Sequence, residues 1–211
     1  MTNFTPIFPL GIVVYPGEAL NLHIFEPRYK QLISECFSAK KPFGIPVVLE
    51  NRMQEFGTLV EIESIAKQYE GGEMDIRTRG LSVFRLLELV REIPDKLYSG
   101  AIVTYPENDT QPDAIGMKRL MSKVRELHRL LQLNKDFGHP DDALDSYAIA
   151  HHVGLTLEQE FDLLKLFSEK QRKEFIRRHL HKAIPLLSGV EQLKQRIQLN
   201  GHFKNLSGFN L

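Results

Sequence analysis

The sequence has no tryptophan, a single cysteine, no excess of either charge and no long apolar run. One cysteine cannot form an internal disulfide or a cysteine-ligated zinc site. Lys+Arg and Asp+Glu both number 27 in the 211 residues, so the basic excess that is typical of nucleic-acid-binding modules is absent. No segment reaches the roughly 18 consecutive apolar residues of a membrane span, and no basic segment precedes the first apolar run. We therefore expect a cytoplasmic protein.

Most motifs of nucleotide-driven and hydrolytic enzymes are also missing. None of the 14 glycines is followed by lysine, which excludes a Walker A loop. The patterns G-x-G-x-x-G, H-E-x-x-H and G-x-S-x-G do not occur. We therefore expect no catalytic residues and no cofactor.

The histidines and paired carboxylates do not indicate a metal site. His151 and His152 are adjacent, and His179 and His181 are two residues apart. On a helix, neither spacing presents two imidazoles to one ion. The acidic pair at 141–142 lies where a helix is predicted to begin, and there it complements the helix dipole. No metal ligand is predicted.

From Phe8 to about Tyr105 the chain has the pattern of short strands separated by Gly and Pro. The predicted strands are Ile45 to Glu50, Thr58 to Ile65, Met74 to Gly80, Val83 to Val90 and Ser99 to Tyr105. One helix near 27–38 interrupts them, because Pro27 suits a first helical position. Its apolar positions fall on one face, so Cys36 is expected to point inward as a small buried thiol. The apolar residues of that face are Tyr29, Leu32, Ile33 and Cys36.

After a polar connection at 107–114 the pattern becomes helical. Met117, Leu120, Met121, Val124, Leu127 and Leu131 form one apolar stripe. Capping pairs mark three further helix starts, at Thr156 with Gln159, Ser168 with Gln171 and Ser188 with Glu191. Helix ends are predicted at Gly154, Pro185 and Asn200-Gly201. The predicted subdomains are 1–108, with the strands, and 113–211, a helical bundle.

A basic stretch lies on the helix predicted to begin at Ser168. Lys173, Arg177 and His181 follow one another at intervals of four residues, which places them on one side of that helix. This stripe is either a solvated face, a docking surface for an acidic partner, or a nucleic-acid contact.

Several short motifs carry a family resemblance. They are Phe8-Pro9-Leu10, Pro16-Gly17, the string Leu22-His23-Ile24-Phe25-Glu26-Pro27-Arg28-Tyr29, then Phe56-Gly57-Thr58-Leu59-Val60-Glu61-Ile62, Arg79-Gly80 with Phe84-Arg85-Leu86, and the ending Leu199-Asn200-Gly201-His202-Phe203-Lys204. In this order they resemble the substrate-binding N-terminal domain of ATP-dependent Lon protease, also called protease La. Phe84-Arg85 has the reverse of the family's Arg-Phe order.

The resemblance implies an α+β fold, in which a PUA-like β pseudobarrel is followed by an α-helical bundle subdomain. It also implies a non-catalytic module that recognises protein or peptide segments, since the sequence carries no Walker A loop. Expected partners are unfolded or regulated polypeptides, with a protease or ATPase as a further candidate. The alternative is an RNA- or nucleic-acid-binding module, by analogy with PUA-like folds. Neither a membrane nor a particular oligomeric state is expected.

The matched residues are expected to be mainly structural. Phe8, Leu10, Leu22, Ile24 and Phe25 suit burial in the barrel, and Glu26 suits the cap of the helix that Pro27 opens. Arg28 either contacts a partner or pairs with a carboxylate such as Glu26 or Glu61. As partner-binding residues we predict Arg28, Lys173, Arg177 and His181.

Overall fold

A computed structural model describes residues 2–109 and 113–206, with the backbone alone at 2, 191, 195 and 197–206. The elements are β1 (Thr2–Pro6), β2 (Ala19–Ile24), α1 (Pro27–Ala39), β3 (Phe43–Leu49), β4 (Arg52–Gln68), β5 (Met74–Val90), β6 (Gly100–Thr104), α2 (Ala114–Leu130), a 3-10 turn (Asp141–Ala143), α3 (Ser146–Ala150), α4 (Leu157–Leu164) and α5 (Glu169–Leu206). Strands come first and helices dominate afterwards, so the predicted α+β class is confirmed.

The strands form one antiparallel sheet in the order β1-β6-β5-β4-β3. The segment that follows β1 then runs beside β3, with parallel bridges from Ile7 to Gly44 and from Leu10 to Val47. The amide of Phe8 donates to the carbonyl of Gly44 at 2.8 Å. These bonds bring the two ends of the strand order together, which makes the expected pseudobarrel.

The sheet differs from the sequence prediction in two strands and one junction. Neither β1 nor β2 is among the predicted strands, and the family motif covers only Leu22 to Ile24 of β2. The two strands predicted from Met74 to Val90 are one continuous strand, β5. β5 pairs with β2 along its first part and with β6 along its last part.

Two glycines of the matched motifs are required because backbones cross there. A Cβ on Gly80 would lie 2.1 Å from the carbonyl oxygen of Tyr15, and one on Gly57 would lie 2.3 Å from that of Ile45. Real Cβ atoms do not approach so closely, so any larger residue would push the strands apart.

The helix α1 covers the core of the pseudobarrel, as its apolar spacing predicted. Tyr29, Leu32, Ile33 and Cys36 are buried on its inner face. The ring of Tyr29 lies 4.0 Å from that of Phe8, measured between centroids. Cys36 points inward as predicted, and burial raises the pKa of its thiol to about 11. The thiol is therefore protonated at neutral pH and acts as a small apolar group.

The chain divides into two compact units, which we call the sheet unit (Met1–Gln111 and Asp145–Arg172) and the helical unit (Pro112–Leu144 and Lys173–Leu211). The prediction placed the whole of 113–211 in one helical subdomain, whereas residues 145–172 group with the sheet. The predicted connection at 107–114 includes residues 110–112, which lie outside the described residues.

A buried arginine explains why residues 145–172 belong to the sheet unit. Arg172 is 0% exposed, and its guanidinium donates to Glu169 Oε2, Ser146 Oγ and Asn108 Oδ1 at 2.7–3.2 Å. Its Cζ also lies 4.2 Å from the ring centroid of Tyr147. Since Asn108 follows the last strand, these bonds join residues 145–172 to the end of the sheet.

In the helical unit, α2 begins at an N-cap residue, Asp113, that is not among the predicted capping residues. The Asp113 carboxylate accepts the amide of Gly116 at 3.0 Å, and the predicted apolar stripe of α2 is buried from Met117 to Leu127. Leu131 lies beyond the helix and is exposed. Asp141 pairs with Arg125 and Asp142 pairs with Lys118, so these acids have structural partners within the unit.

The long helix α5 corrects three of the predicted helix boundaries. It begins directly after Ser168, as predicted, but it continues through Pro185, Ser188 and Asn200-Gly201 to Leu206. Pro185 lacks the N–H that would bond to the carbonyl of His181, and His181 is exposed, so water can satisfy that carbonyl. No helix in the described part of the chain is long and apolar enough to span a membrane.

Candidate functional site

The strand β2 and the start of α1 contain the most specific of the sequence motifs. β2 pairs with β5 in a register that places His23 opposite Asp75 and Ile24 opposite Met74. Within residues 2–109 and 113–206, no second strand pairs with β2. The other edge of β2 can therefore accept an additional strand.

Three aromatic side chains stand at the end of β2, and we call them the aromatic patch: His23, Phe25 and Tyr69. The ring centroids of His23 and Phe25 are 6.1 Å apart, and those of His23 and Tyr69 are 5.8 Å apart. Phe25 is 59% exposed, although its motif predicted burial. The burial prediction for Phe25 is therefore wrong, whereas Phe8 and Ile24 are buried as expected.

The period of a strand explains the exposure of Phe25. Ile24 faces the core, and residues of a strand alternate between its two faces. His23 and Phe25 therefore share the outer side. This alternation was present in the sequence and is the signal by which the patch could have been predicted. Tyr69 is different, because it joins the patch only through the pairing of β4 with β5.

A carboxylate holds two of the three rings in place. Asp75 accepts from His23 Nδ1 at 2.7 Å and from the Tyr69 hydroxyl at 2.8 Å. The bond from His23, and then that from Tyr69, lower the pKa of Asp75, so it stays ionised and acts only as an acceptor. The ammonium of Lys67 lies 4.3 Å from the centroid of the Tyr69 ring. The rings of His23 and Tyr69 are thus fixed before any ligand arrives.

The turn between β4 and β5 is joined to α1 beside the patch. Lys30 Nζ donates to the carbonyl of Gly71 at 2.8 Å. Gly72, the next residue, has φ of 75°, a conformation that glycine adopts without strain. This bond ties α1 to the turn between β4 and β5. Because β2 leads directly into α1, it also helps to hold the end of β2 beside that turn.

Arg28, a predicted partner-binding residue, lies in the first turn of α1 and is half-exposed. Its Nε and Nη2 donate to Glu26 Oε2 at 2.9 and 2.7 Å, and its Cζ stands 4.5 Å from the Tyr29 ring centroid. Of the two expected alternatives, the ion pair with Glu26 is present. Glu26 occupies the N-cap position, but its side chain makes no capping bond because it binds Arg28.

The predicted basic stripe on α5 is only partly a surface feature. Lys173 is 8% exposed, and its ammonium lies 2.7 Å from Asp113 Oδ2. The bond from Lys173, and then that from the Gly116 amide, lower the pKa of Asp113. Lys173 therefore joins α5 to the start of α2, and the prediction that it contributes an exposed charge is corrected.

The other two residues of that stripe are exposed. Arg177 donates to both carboxylate oxygens of Glu174 at 2.6 and 2.8 Å, and Arg178 donates to the same group at 2.7 Å. These arginines lower the pKa of Glu174 to about 2. His181 is exposed one turn further along. Arg28 belongs to the sheet unit, whereas Lys173, Arg177 and His181 belong to the helical unit.

A second polar cluster in the sheet unit surrounds His151. Its Nδ1 lies 2.7 Å from Glu160 Oε1 and its Nε2 lies 3.1 Å from Glu18 Oε2. Burial alone would lower the pKa of His151, but the bonds to Glu160 and Glu18 outweigh it and raise the pKa to about 9. Both nitrogens are occupied by structural partners, so this histidine holds a loop to α4. Among the described residues, no group of three His, Cys, Asp or Glu side chains is arranged to hold a metal ion.

The geometry of the patch suits binding rather than chemistry. Its exposed ring and fixed neighbours offer an apolar surface, and the edge of β2 offers backbone donors and acceptors. Asp75 is engaged by two rings and is not positioned as a general base.

Comparison with known proteins finds similarity over most of the chain. The model of the ATP-dependent protease La (LON) substrate-binding domain matches residues 5–182. The crystal structure of a Lon N-terminal domain protein from Xanthomonas campestris is similar, with a TM-score of 0.61 and 25% identity over 82% of this chain and 95% of that chain. The N-terminal domain of the Mycobacterium avium complex Lon protease shares the fold, with a TM-score of 0.63 and 16% identity over 86% of this chain and all, 100%, of that chain.

Proposed function

The chain belongs to the substrate-binding domain family of the ATP-dependent protease La (LON), and from this premise we propose that it is a non-catalytic module that binds extended polypeptide segments. The observation that carries the proposal is the aromatic patch, which exposes Phe25 beside a strand with one open edge. Unfolded or regulated polypeptides are its ligands. A protease or ATPase that receives them is its partner. A cytoplasmic location is part of the same proposal.

The open edge of β2 supports the binding of extended segments. A peptide that adds to a strand edge forms main-chain hydrogen bonds with little dependence on sequence. Such tolerance suits a module with many different ligands. Alternate side chains of the peptide face the same side as His23 and Phe25, because side chains along a strand alternate.

The patch supplies a preference for apolar side chains. Covering an exposed phenylalanine removes apolar surface from water, and burial of a side chain of this size contributes about 1.5–3 kcal/mol. Because Asp75 already orients His23 and Tyr69, little side-chain entropy is lost on binding. Allowing for the cost of association, we expect dissociation constants between about 1 μM and 1 mM.

The predicted site residues differ in how well their surroundings support a binding role. Arg28 lies three residues after Phe25 and is half-exposed, so it remains in the proposed site. Arg177 and His181 remain proposals for a separate contact. The nucleic-acid alternative is not favoured, since Lys173 is buried and Arg177 is paired with Glu174.

The test is a titration of a permanently unfolded, reduced and alkylated polypeptide, followed by fluorescence anisotropy. Phe25→Ala is expected to weaken binding about tenfold or more, which corresponds to about 1.4 kcal/mol. N-methylation of alternate peptide amides in a short extended ligand is expected to abolish binding, because it removes the donors that pair with β2.

Leu87→Ala is the matched control. Leu87 is also a half-exposed apolar residue of the sheet unit, but it lies about 40 Å along β5 from the residue that pairs with Ile24. It should leave binding unchanged. Equal losses in both variants, or unchanged binding in Phe25→Ala, would refute the proposed site.

A further inference from the structure

The second half of α5 carries an apolar surface of its own. Leu186, Val190 and Leu193 are 72%, 64% and 58% exposed, and we call them the α5 stripe. Their spacing of four and three residues places them within about 60° of one another around the helix. They therefore form one continuous apolar strip.

The α5 stripe does not continue the buried face of the same helix. Ile176, Leu180 and Ile184 are buried earlier in α5. At about 100° per residue, the centre of that buried face lies roughly 110° from the centre of the stripe. The helix thus has one buried apolar face and a second one that is exposed to solvent.

Positive charges flank the stripe on both sides. Lys182 and Arg196 lie on one side and Lys194 on the other, at roughly 50–90° from its centre, and all three are exposed. Glu191 is the one acidic residue between 182 and 196, and its position is roughly 130° from the stripe. An apolar strip with cationic margins complements an apolar strip with anionic margins.

The stripe also lies outside the region shared with the family. The family model matches residues 5–182, whereas the three stripe residues follow that range. A surface in this part of α5 therefore need not bind what the family's matched region binds.

We propose that the α5 stripe docks an acidic amphipathic helix of a partner protein. Two helices pair through apolar residues at spacings of three and four, and flanking charges select the partner. A second copy of α5 fits less well, because Lys182, Lys194 and Arg196 would meet their own counterparts.

The experiment uses the full chain and two synthetic helical peptides about three heptads long, with leucine at the apolar positions. One peptide has glutamate at the flanking positions and the other has lysine. Calorimetric titration at low and at moderate salt measures the affinity of each peptide. The glutamate peptide is expected to bind at micromolar concentration and more weakly as salt rises, and the lysine peptide at least about tenfold more weakly.

Two variants locate the binding. Val190→Glu should weaken binding of the glutamate peptide at least about tenfold. Gln192→Glu adds the same charge on another side of the helix and should change binding less than about twofold. Both positions are exposed, so both variants should fold, which circular dichroism checks.

Three results would overturn the proposal: no binding of the glutamate peptide, equal binding of the two peptides, or no effect of Val190→Glu. Sedimentation velocity adds a fourth. If the wild type forms dimers that Val190→Glu dissociates, the stripe is covered by a second copy of the chain instead.

Discussion

The aromatic patch and the α5 stripe are both exposed apolar surfaces, but they are built differently. The patch combines His23 of β2, Phe25 directly after β2 and Tyr69 directly after β4, and Asp75 of β5 holds His23 and Tyr69 by hydrogen bonds. The α5 stripe is carried by one helix and needs no other element to define it. A surface that depends on strand pairing offers a backbone edge as well as side chains, whereas a helix offers side chains alone. The first suits an extended segment and the second suits another helix.

The largest effect on stability is expected from loss of the buried Arg172 interactions in the sheet unit. Arg172→Ala removes every partner of the buried Glu169 side chain except Ser146, so it should lower the free energy of unfolding by about 3–5 kcal/mol. Urea unfolding followed by circular dichroism measures it. Arg177→Ala, which breaks an exposed pair, should cost less than about 1 kcal/mol. Similar costs for both would show that the buried arginine does not hold residues 145–172 to the sheet.

The next largest effect is a pH dependence of the sheet unit through His151. Its pKa is about 9 in the folded chain and 6.5 without its partners, so its contribution is complete below pH 6.5 and is lost as pH rises through about 9. Allowing for partial exposure, the loss should be about 2 kcal/mol. His151→Gln should remove this slope, because an amide does not titrate. An unchanged slope in the variant would contradict the role given to this histidine.

A crossed experiment separates the two surfaces directly. Phe25→Ala should weaken binding of the unfolded polypeptide about tenfold and change binding of the acidic helical peptide less than about twofold. Val190→Glu should have the opposite effects. Anisotropy titrations of both variants with both ligands measure the four dissociation constants. If either variant weakens both ligands, the two surfaces are not independent.

A smaller effect tests whether the patch is preorganised. Asp75→Asn keeps the size of the side chain but removes the charge that holds His23 and Tyr69, so binding of the unfolded polypeptide should fall about two- to fivefold. Glu70→Gln removes an exposed charge from the adjacent turn and is the control. Identical affinities of wild type and Asp75→Asn would mean that the rings need no fixing.

The smallest effect concerns stability at the α5 stripe. Val190→Glu should change the free energy of unfolding by less than about 0.5 kcal/mol, because the side chain is mostly exposed and leaves no cavity. Thermal unfolding measures it. A loss above about 1 kcal/mol would indicate that the stripe packs against the protein itself.

Local patterns predicted much of the secondary structure. The inward face of α1, the apolar stripe of α2 from Met117 to Leu127 and the capping box of Thr156 with Gln159 are confirmed, because each depends on the spacing of residues along one helix. Pro185 shows the limit of such rules. A proline usually ends a helix, but α5 continues through it, since one lost hydrogen bond is small beside the interactions of the whole helix.

The candidate site could be predicted only in part. The motif around Phe25 includes part of the proposed site, and strict alternation from Ile24 would have placed the Phe25 side chain on the outer face of β2. Tyr69 and Asp75 reach the patch only through the pairing of β5 with β2 and β4, which no local pattern specifies. Lys173 resembled other surface lysines in the sequence, whereas in the structure it is buried and its ammonium lies 2.7 Å from Asp113 Oδ2.

By itself, the sequence determined the family, the change from strands to helices and the apolar faces of the helices, because these depend on composition, motifs and spacing along the chain. Tertiary structure alone decided that Lys173 is buried, that residues 145–172 belong to the sheet unit and that three rings meet at the end of β2. These depend on contacts between residues far apart in the sequence. Burial and charge pairing are properties of such contacts, so the residue type at one position does not specify them.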